Sequence, residues 1–301
     1  MCLAAGGAIT GSGSVLYARS VEPKWFDLTH TPVSLPGLKA PIKALHLADL
    51  HSSRSVPTYL LAEAIRTGLR EKPDIVFLTG DYISTIRFFD ESGLERLFRQ
   101  LAKSAPVYAV MGNHDCAGSV HDPNASTARI QQLLCRSGVR VLMNASDIVE
   151  IRGSRLSLVG TGDLWTKHEF DPGAAFAETD PDLPTIVLAH NPDTKDRIVD
   201  ERWDLMVSGH THGGQVVLPF IHPYWLPVKD QRFIAGLYGW GDRQLFITRG
   251  VGSPGKVRLN CRPEVSILHL HPGSGIQAGS TTSRTPARSI SGPKRIWIGW
   301  A

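Results

Sequence analysis

The chain has 301 residues, 42% hydrophobic and 20% charged, an ordinary globular composition that suits one large domain or two small ones and can bury a core without staples. A formal charge of +4 is partly carried by Arg284, Arg288, Lys294 and Arg295 near the C-terminus, and no basic run interleaves with aromatics, which argues against a nucleic-acid partner while suiting an anionic substrate or an acidic lipid surface. Cys2, Cys116, Cys135 and Cys261 are scattered without a CxxC pair, which argues against a disulfide framework or a zinc ribbon.

Residues 1–20 carry no charged side chain before Arg19. The stretch is weakly apolar and marginal for a bilayer-spanning helix, which needs ~20 mostly apolar residues. It reads as the remnant of an export signal or membrane anchor without its basic n-region, or as a flexible leader. A Pro-punctuated segment follows, "EPKWFDLTHTPVSLPGLKAP", and reads as extended.

Ile42–Ala48 is the first buried strand. "SVPTYLLAEAIRTGLREKP" is a helix whose stripe is Leu60, Leu61, Ala64, Ile65 and Leu69, ended by Pro73. Asp74–Thr79 is a second strand. A second helix carries Leu94, Leu97, Phe98 and Leu101, with Ser92 and Glu95 spaced as a capping box. "PVYAVM" is a third strand and Asn124–Arg136 a third helix. The alternation predicts an α/β architecture.

The second half is β-rich. "SDIVEIRGSRLSLVGTGD" predicts two strands turning at Arg152-Gly153, and "TIVLAH", "WDLMVSGH", "QLFITRG" and "EVSILHLH" are further strands. No linker divides the halves, so residues 21–271 are expected to form one domain. Residues 272–301 are rich in Gly, Ser, Thr and Pro and read as a disordered tail.

The polar residues concentrate where strands stop. The stops are Asp49-Leu50-His51, Gly80-Asp81, Gly112-Asn113-His114-Asp115, His190 and Gly209-His210-Thr211-His212. One Asp after a strand is usually a turn or a cap, and one His usually a satisfied polar group. Five such stops are a pattern, because ligands bind at the carboxyl ends of strands in open α/β sheets. Oxygen and imidazole donors without thiolate suit Mn²⁺, Fe²⁺ or Zn²⁺ better than Ca²⁺ or a structural zinc. Seven donors with one shared carboxylate would satisfy two ions, the arrangement that clamps both oxygens in phosphoryl chemistry. Two-residue spacing in an extended segment would turn His210 and His212 to one side, with Thr211 facing away.

The ordered set "DLH", "GD", "GNHD", "H" and "GHTHGGQ" resembles the calcineurin-like metallophosphoesterases, over roughly Ile42 to His271. The resemblance implies a four-layer α/β sandwich, two mixed β-sheets flanked by helices, with a dinuclear site at the strand C-terminal edge. It implies that Asp49, His51 and His212 bind one metal, that Asn113, His190 and His210 bind the other, and that Asp81 bridges them. A hydroxide between the ions, most often Mn²⁺, would attack the phosphorus. His114 would stabilise charge and protonate the leaving oxygen, with Asp115 orienting it or capping the next turn. The reaction implied is metal-dependent hydrolysis of a phosphodiester or pyrophosphate.

Protein phosphatases of this superfamily carry Asp-Arg soon after the GD, where this chain has Ser84 and Thr85, and "GNHE" where it has "GNHD". Cytosolic pyrophosphatases of lipid A synthesis have Arg where this chain has His114. The segments "YARSVEPKWFDLTHTPVSLPGL" and "TRGVGSPGKVRLNCRPEVSIL" look like a bacterial group with an N-terminal signal or anchor, which includes broad phosphodiesterases and UDP-2,3-diacylglucosamine pyrophosphatases. That resemblance implies an exported or membrane-associated protein acting on a phosphoester, pyrophosphate or lipid substrate, with a soluble cytoplasmic protein expected instead where the leader has no function. A monomer is expected in either case. The aromatic loop Val216–Trp240 reads either as an apolar wall for that substrate or as a loop packed down by its own rings. Arg249 and Arg258, and more weakly Arg54, are candidate phosphate contacts. His168, His222, His269 and His271 fall outside the pattern and read as structural. A general phosphodiesterase is the second reading. A non-catalytic scaffold is the third, and the complete set of seven donors plus His114 speaks against it.

Overall fold

The computed structural model describes residues 13–116, 125–166, 170–218, 223, 226–273 and 294–295. Its central strands are short aliphatic runs, and periodicity of two decides which layer each side chain enters. In β2 (Ile42–Leu47) and β3 (Ile75–Thr79), Ile42, Ala44, Ile75 and Phe77 face one core while Leu45, Leu47, Val76 and Leu78 face another.

The first sheet adds β1 (Asp27–Leu35), β4 (Val107–Val110), β5 (Arg140–Val141), β12 (Glu264–Pro272) and β13 (Lys294–Arg295), in the order β13-β1-β12-β2-β3-β4-β5. The second holds β6 (Ala145–Ile151), β7 (Ser154–Gly160), β8 (Thr185–Leu188), β9 (Leu205–Ser208), β10 (Gly236–Trp240) and β11 (Arg243–Ile247), in the order β10-β11-β9-β8-β7-β6. Both sheets are mixed. Their facing sides bury Phe77, Val110, Leu158, Leu188, Val207 and Phe246.

Residues 13–20 are helical and are numbered α1. On the outer side of the first sheet, α2 (Thr58–Arg70), α3 (Glu91–Ser104) and α5 (Ala125–Arg136) bury Leu61, Ile65, Phe98 and Leu133. The single turn Asn113–Cys116 is α4. On the outer side of the second sheet, α6 (Pro172–Phe176) and the segment around Ile198 and Trp203 cover Val187, Met206 and Leu245. The layers are therefore those of a four-layer sandwich.

The extended lead-in becomes β1, and it lies parallel to β12 in a nine-residue register from Asp27↔Glu264 to Leu35↔Pro272. Arg249 joins Asp27 at 3.2 Å and Glu264 at 3.0 Å, and Arg262 joins Asp27 at 2.9 Å. The hairpin turn falls where the sequence places it, with Arg152 at φ 50° and Gly153 at φ 75°.

Two expectations change. The capping box does not form: α3 is capped by Asp90, which accepts from the Gly93 amide, while Glu95 pairs with Arg99 and Arg136. β10, which is hidden in the aromatic loop, was not expected as a strand. Among the described residues no helix is long and apolar enough to cross a membrane. The leader up to residue 12 and most of the tail lie outside the described residues.

His46 on β2 is fully buried, with Nε2 2.8 Å from Thr79 Oγ1. Burial lowers its pKa to about 3. The folded value lies below the unfolded 6.5, so the unfolded chain binds the extra proton between these limits. Stability from this group is complete above pH 6.5 and falls below it, by up to ~1.4 kcal/mol per pH unit. Thermal melts between pH 7 and 5 should therefore fall less in His46→Gln than in the wild type. An equal fall in both would remove His46 as a cause.

Candidate metal centre

Five strand ends deliver the polar residues to one edge. Asp49 and His51 follow β2, Asp81 follows β3, and Asn113 and His114 follow β4. His190 follows β8, and His210 and His212 follow β9. Asp49, His51, Asp81, His210 and His212 all have φ between 48° and 70°. Left-handed backbone outside glycine is uncommon and strained, and it concentrates at functional sites. Here it turns each chain sharply, so the side chain points back over the strand end.

Close glycines make the turns fit. A Cβ on Gly112 would collide with the Asp81 carboxylate, and one on Gly209 with that of Asp49. The glycine of each later motif therefore makes room for the aspartate of an earlier one.

The donor atoms gather into overlapping groups: Asp49, His51 and His212; His51, Asp81 and His114; and Asp81, His190 and His210. Asp81 Oδ2 lies 3.5 Å from His51 Nε2 and 3.3 Å from His190 Nε2. His212 Nε2 is 3.6 Å from Asp49 Oδ1 and 3.1 Å from His51 Nε2. His190 Nε2 is 3.2 Å from Asn113 Oδ1 and 3.0 Å from His210 Nδ1. All seven expected donors are brought together.

The outward-facing ring atoms are also held. His190 Nδ1 meets the Thr79 carbonyl at 2.8 Å, and His210 Nε2 meets the Pro227 carbonyl at 2.8 Å. Such partners fix which nitrogen faces a metal. Burial lowers His51 to about 4 and His210 to about 3, and holds His212 well below the ordinary value. Those three rings are neutral, the ligating form. Burial opposes the charge on Asp81, yet His190 and His51 hold its carboxyl well below the usual range. Burial likewise opposes charge on His190, yet Asp81 in turn raises it to about 10, and that proton would have to leave for the ring to ligate. Two buried aspartates beside the three neutral rings fit divalent cations.

The family model described as calcineurin-like phosphoesterase matches residues 42–214. The chain belongs to this family. It is 41% identical over 263 residues to the phosphodiesterase YaeI of Escherichia coli K12, covering 87% of this chain and 94% of the relative. It is 29% identical to the uncharacterized metallophosphoesterase YkuE of Bacillus subtilis 168, covering 88% and 93%. It is 27% identical to the UDP-2,3-diacylglucosamine pyrophosphatase LpxG of Chlamydia trachomatis serovar D, covering 84% and 92%. This calcineurin-like phosphoesterase is a hydrolase of phosphodiester or pyrophosphate bonds, with His and Asp groups suited to divalent metals.

Several expected roles change in this phosphoesterase. No hydrogen bond joins the Asp115 carboxylate to the His114 ring among the described residues. Asp115 is fully buried and accepts from the backbone amides of Asp81, Tyr82, Ile83 and Gly112. It pins the Asp81 turn, and the group on His114 Nδ1 is instead the Ser84 carbonyl at 3.0 Å. Arg258 is not a phosphate contact. It is fully buried, with its guanidinium donating to the carbonyls of His212, Gly250, Gly252 and Cys261. Arg249 is likewise engaged by Glu264 and Asp27. His210 and His212 do not share a side through an extended strand, because both are left-handed and His212 opens a 3-10 turn. Thr211 does turn away, donating to the Ile234 carbonyl.

In the aromatic loop, Phe233 is buried, Tyr238 packs edge-on against it, and Trp240 stacks on Trp203. These rings pack the loop down. Phe220, Tyr224 and Trp225 lie outside the described residues, as do His168 and His222. His269 sits beside His30 and stacks on His271, away from the clustered donors.

Sequence reading missed a sixth strand end. After β7, the buried Asp163 accepts from the amides of Trp165 and Thr166. The loop so fixed holds Trp165 52% exposed, 4.6 Å edge-on from the His210 ring. "GTGD" ending an apolar run was the available signal.

Gly209→Ala and Gly112→Ala should each lower metal content by crowding a carboxylate, as read by elemental analysis of the folded protein. Full retention of metal would remove the packing argument. Arg258→Ala should cost about 3 kcal/mol or more by denaturant melt, since it orphans four carbonyls. An unchanged stability with only a raised KM would restore Arg258 as a substrate contact.

Proposed function

We propose that this phosphoesterase hydrolyses an amphipathic, lipid-linked pyrophosphate or phosphodiester of the UDP-2,3-diacylglucosamine kind, using two Mn²⁺ ions. In this reading Asp49, His51 and His212 hold one ion, Asn113, His190 and His210 the other, and Asp81 both. The observation that carries it is the position of Asp81 Oδ2 between His51 and His190, at 3.5 and 3.3 Å. Bound there, the cations would polarise phosphoryl oxygens and activate water.

The chain supplies orientation and proton handling. His114 donates Nδ1–H to the Ser84 carbonyl at 3.0 Å, which would leave Nε2 to face the substrate. The ring also packs edge-on against His51. In its protonated form it would give the Nε2 proton to the leaving oxygen. Trp165 offers a flat apolar face beside His210 for the organic part of the substrate. The chlamydial relative's name supports a pyrophosphate of this type. The Escherichia coli relative, at 41% identity, favours a second reading, a general phosphodiesterase acting on nucleotides or glycerophosphodiesters. Exposed Val15 and Leu16 on α1 support peripheral membrane association.

With Mn²⁺, the protein should turn over bis-p-nitrophenyl phosphate, and His114→Ala should lose about 10²–10⁴-fold in kcat. No turnover, or His114→Ala equal to the wild type, would overturn the reading. UDP-2,3-diacylglucosamine should give a higher kcat/KM than cyclic nucleotides or glycerophosphodiesters assayed beside it. The reverse order would select the second reading. Asp81→Asn should lose both metals by elemental analysis, and retention of two per chain would exclude bridging.

A further inference from the structure

The loops that carry the ligands continue into the walls of a cleft. Ser52, Ser53 and Arg54 directly follow His51, and three extended residues reach at most about 10 Å. Val251 and Ser253 follow Gly250, which packs against Asp49. Between these two loops, α1 and the start of α2 lies a cavity of about 370 Å³, a volume typical of small-ligand sites.

Its chemistry is one-sided. Arg19, Lys24, Arg54 and Lys256 line it together with the apolar Phe26, Val56, Leu60 and Val251, and no Asp or Glu does so among the described residues. Arg19, Arg54 and Lys256 are exposed, and none of them takes part in an ion pair among the described residues. A second cavity of about 400 Å³ shares Arg54 and Pro57 and adds Arg87 and Phe88. Its one acid, Asp90, is occupied by Gly93, Ser92 and Thr58. The start of α2, which has no side-chain cap, lies between the two cavities and adds its positive dipole end. Tyr59, 61% exposed, and Phe88, 49% exposed, stand at the rims.

Arg19, Arg54 and Lys256, which no carboxylate neutralises among the described residues, surround an apolar floor, and Arg54 stacks over the Phe88 ring at 4.6 Å. Together they match an anionic group joined to an apolar body. We propose that this cleft is a subsite for the non-reacting anionic and apolar part of an amphipathic phosphoester, with Arg54 at the junction of its two halves. The assignment rests on the amphipathic substrate proposed above. It gives Arg54, next to the "DLH" motif, a task distinct from metal binding. A lipid headgroup and a free phosphate share the anion, and only the first has the apolar body.

Calorimetry on the metal-loaded full chain tests this with decanesulfonate, a weakly coordinating anion on a decyl chain. Decanesulfonate should bind, with methanesulfonate and decyl maltoside each about tenfold weaker or worse, because neither satisfies both parts of the cleft. Arg54→Ala and Lys256→Ala should each weaken decanesulfonate about tenfold, and Arg54→Lys should restore most of the loss. Both positions are exposed, so neither substitution disturbs the core. The proposal is overturned if decanesulfonate does not bind the wild type, or if both alanine variants bind it equally well. Decyl maltoside binding as tightly would remove the anion from the argument, and methanesulfonate binding as tightly would remove the apolar body. Binding requires no turnover, so an inactive chain that binds decanesulfonate refutes the proposed activity alone. An active chain that ignores it refutes the subsite alone.

Discussion

Asp49 and Asp81 lie at the ends of neighbouring strands with almost no exposed surface. Burying a carboxylate is costly unless charge and hydrogen bonds compensate. Around Asp81 the compensation comes from His51, His190 and the His114 amide, and around Asp49 from the His210 amide. Each carboxylate also presses on a glycine of another motif, so a displaced aspartate would disturb two loops at once. The strained turns, the orienting carbonyls on His190 and His210, and the Asp115 clamp all serve to hold these two groups in register.

Behind the clustered side chains stands a second layer of charge, Arg258 fully buried and Arg249 mostly so. Arg258 knits the loops of Gly250, Gly252 and Cys261 to the His212 carbonyl. Arg249 connects the end of β11 to Asp27 and Glu264 on β1 and β12. Both cations look like anion receptors in a glycine-rich sequence. Arg258 is taken up mostly by backbone carbonyls within eight residues and by the His212 carbonyl, and Arg249 by acids 15 and 222 positions away, and residue spacing reveals neither kind of partner.

Much of the architecture was legible because short aliphatic runs allow few alternatives, and each one stops at a polar residue. That these seven side chains cluster was legible for the same reason. The capping box was misplaced because Asp90, one residue before the helix, competes with Ser92 for the cap. Asp115 resembles an acid poised beside His114, but its four amide partners belong largely to the preceding motif. Asp163 and Trp165 escaped notice because β7 ends in "GTGD", whose final acid reads as a turn residue. β10 escaped because its glycines and aromatics, "GLYGW", lack the apolar run of the other strands.

The parallel pairing of β1 with β12 has a consequence for how the molecule is made. Residues about 235 positions apart must meet, since Thr29 donates to Glu264 at 2.6 Å. Gly250 and Gly252, which close over Asp49, also arrive late in synthesis. Contacts this distant in sequence form slowly, and a growing chain cannot make them early. The centre is therefore completed only after nearly the whole domain has emerged, and until then its histidines and aspartates remain on an open edge.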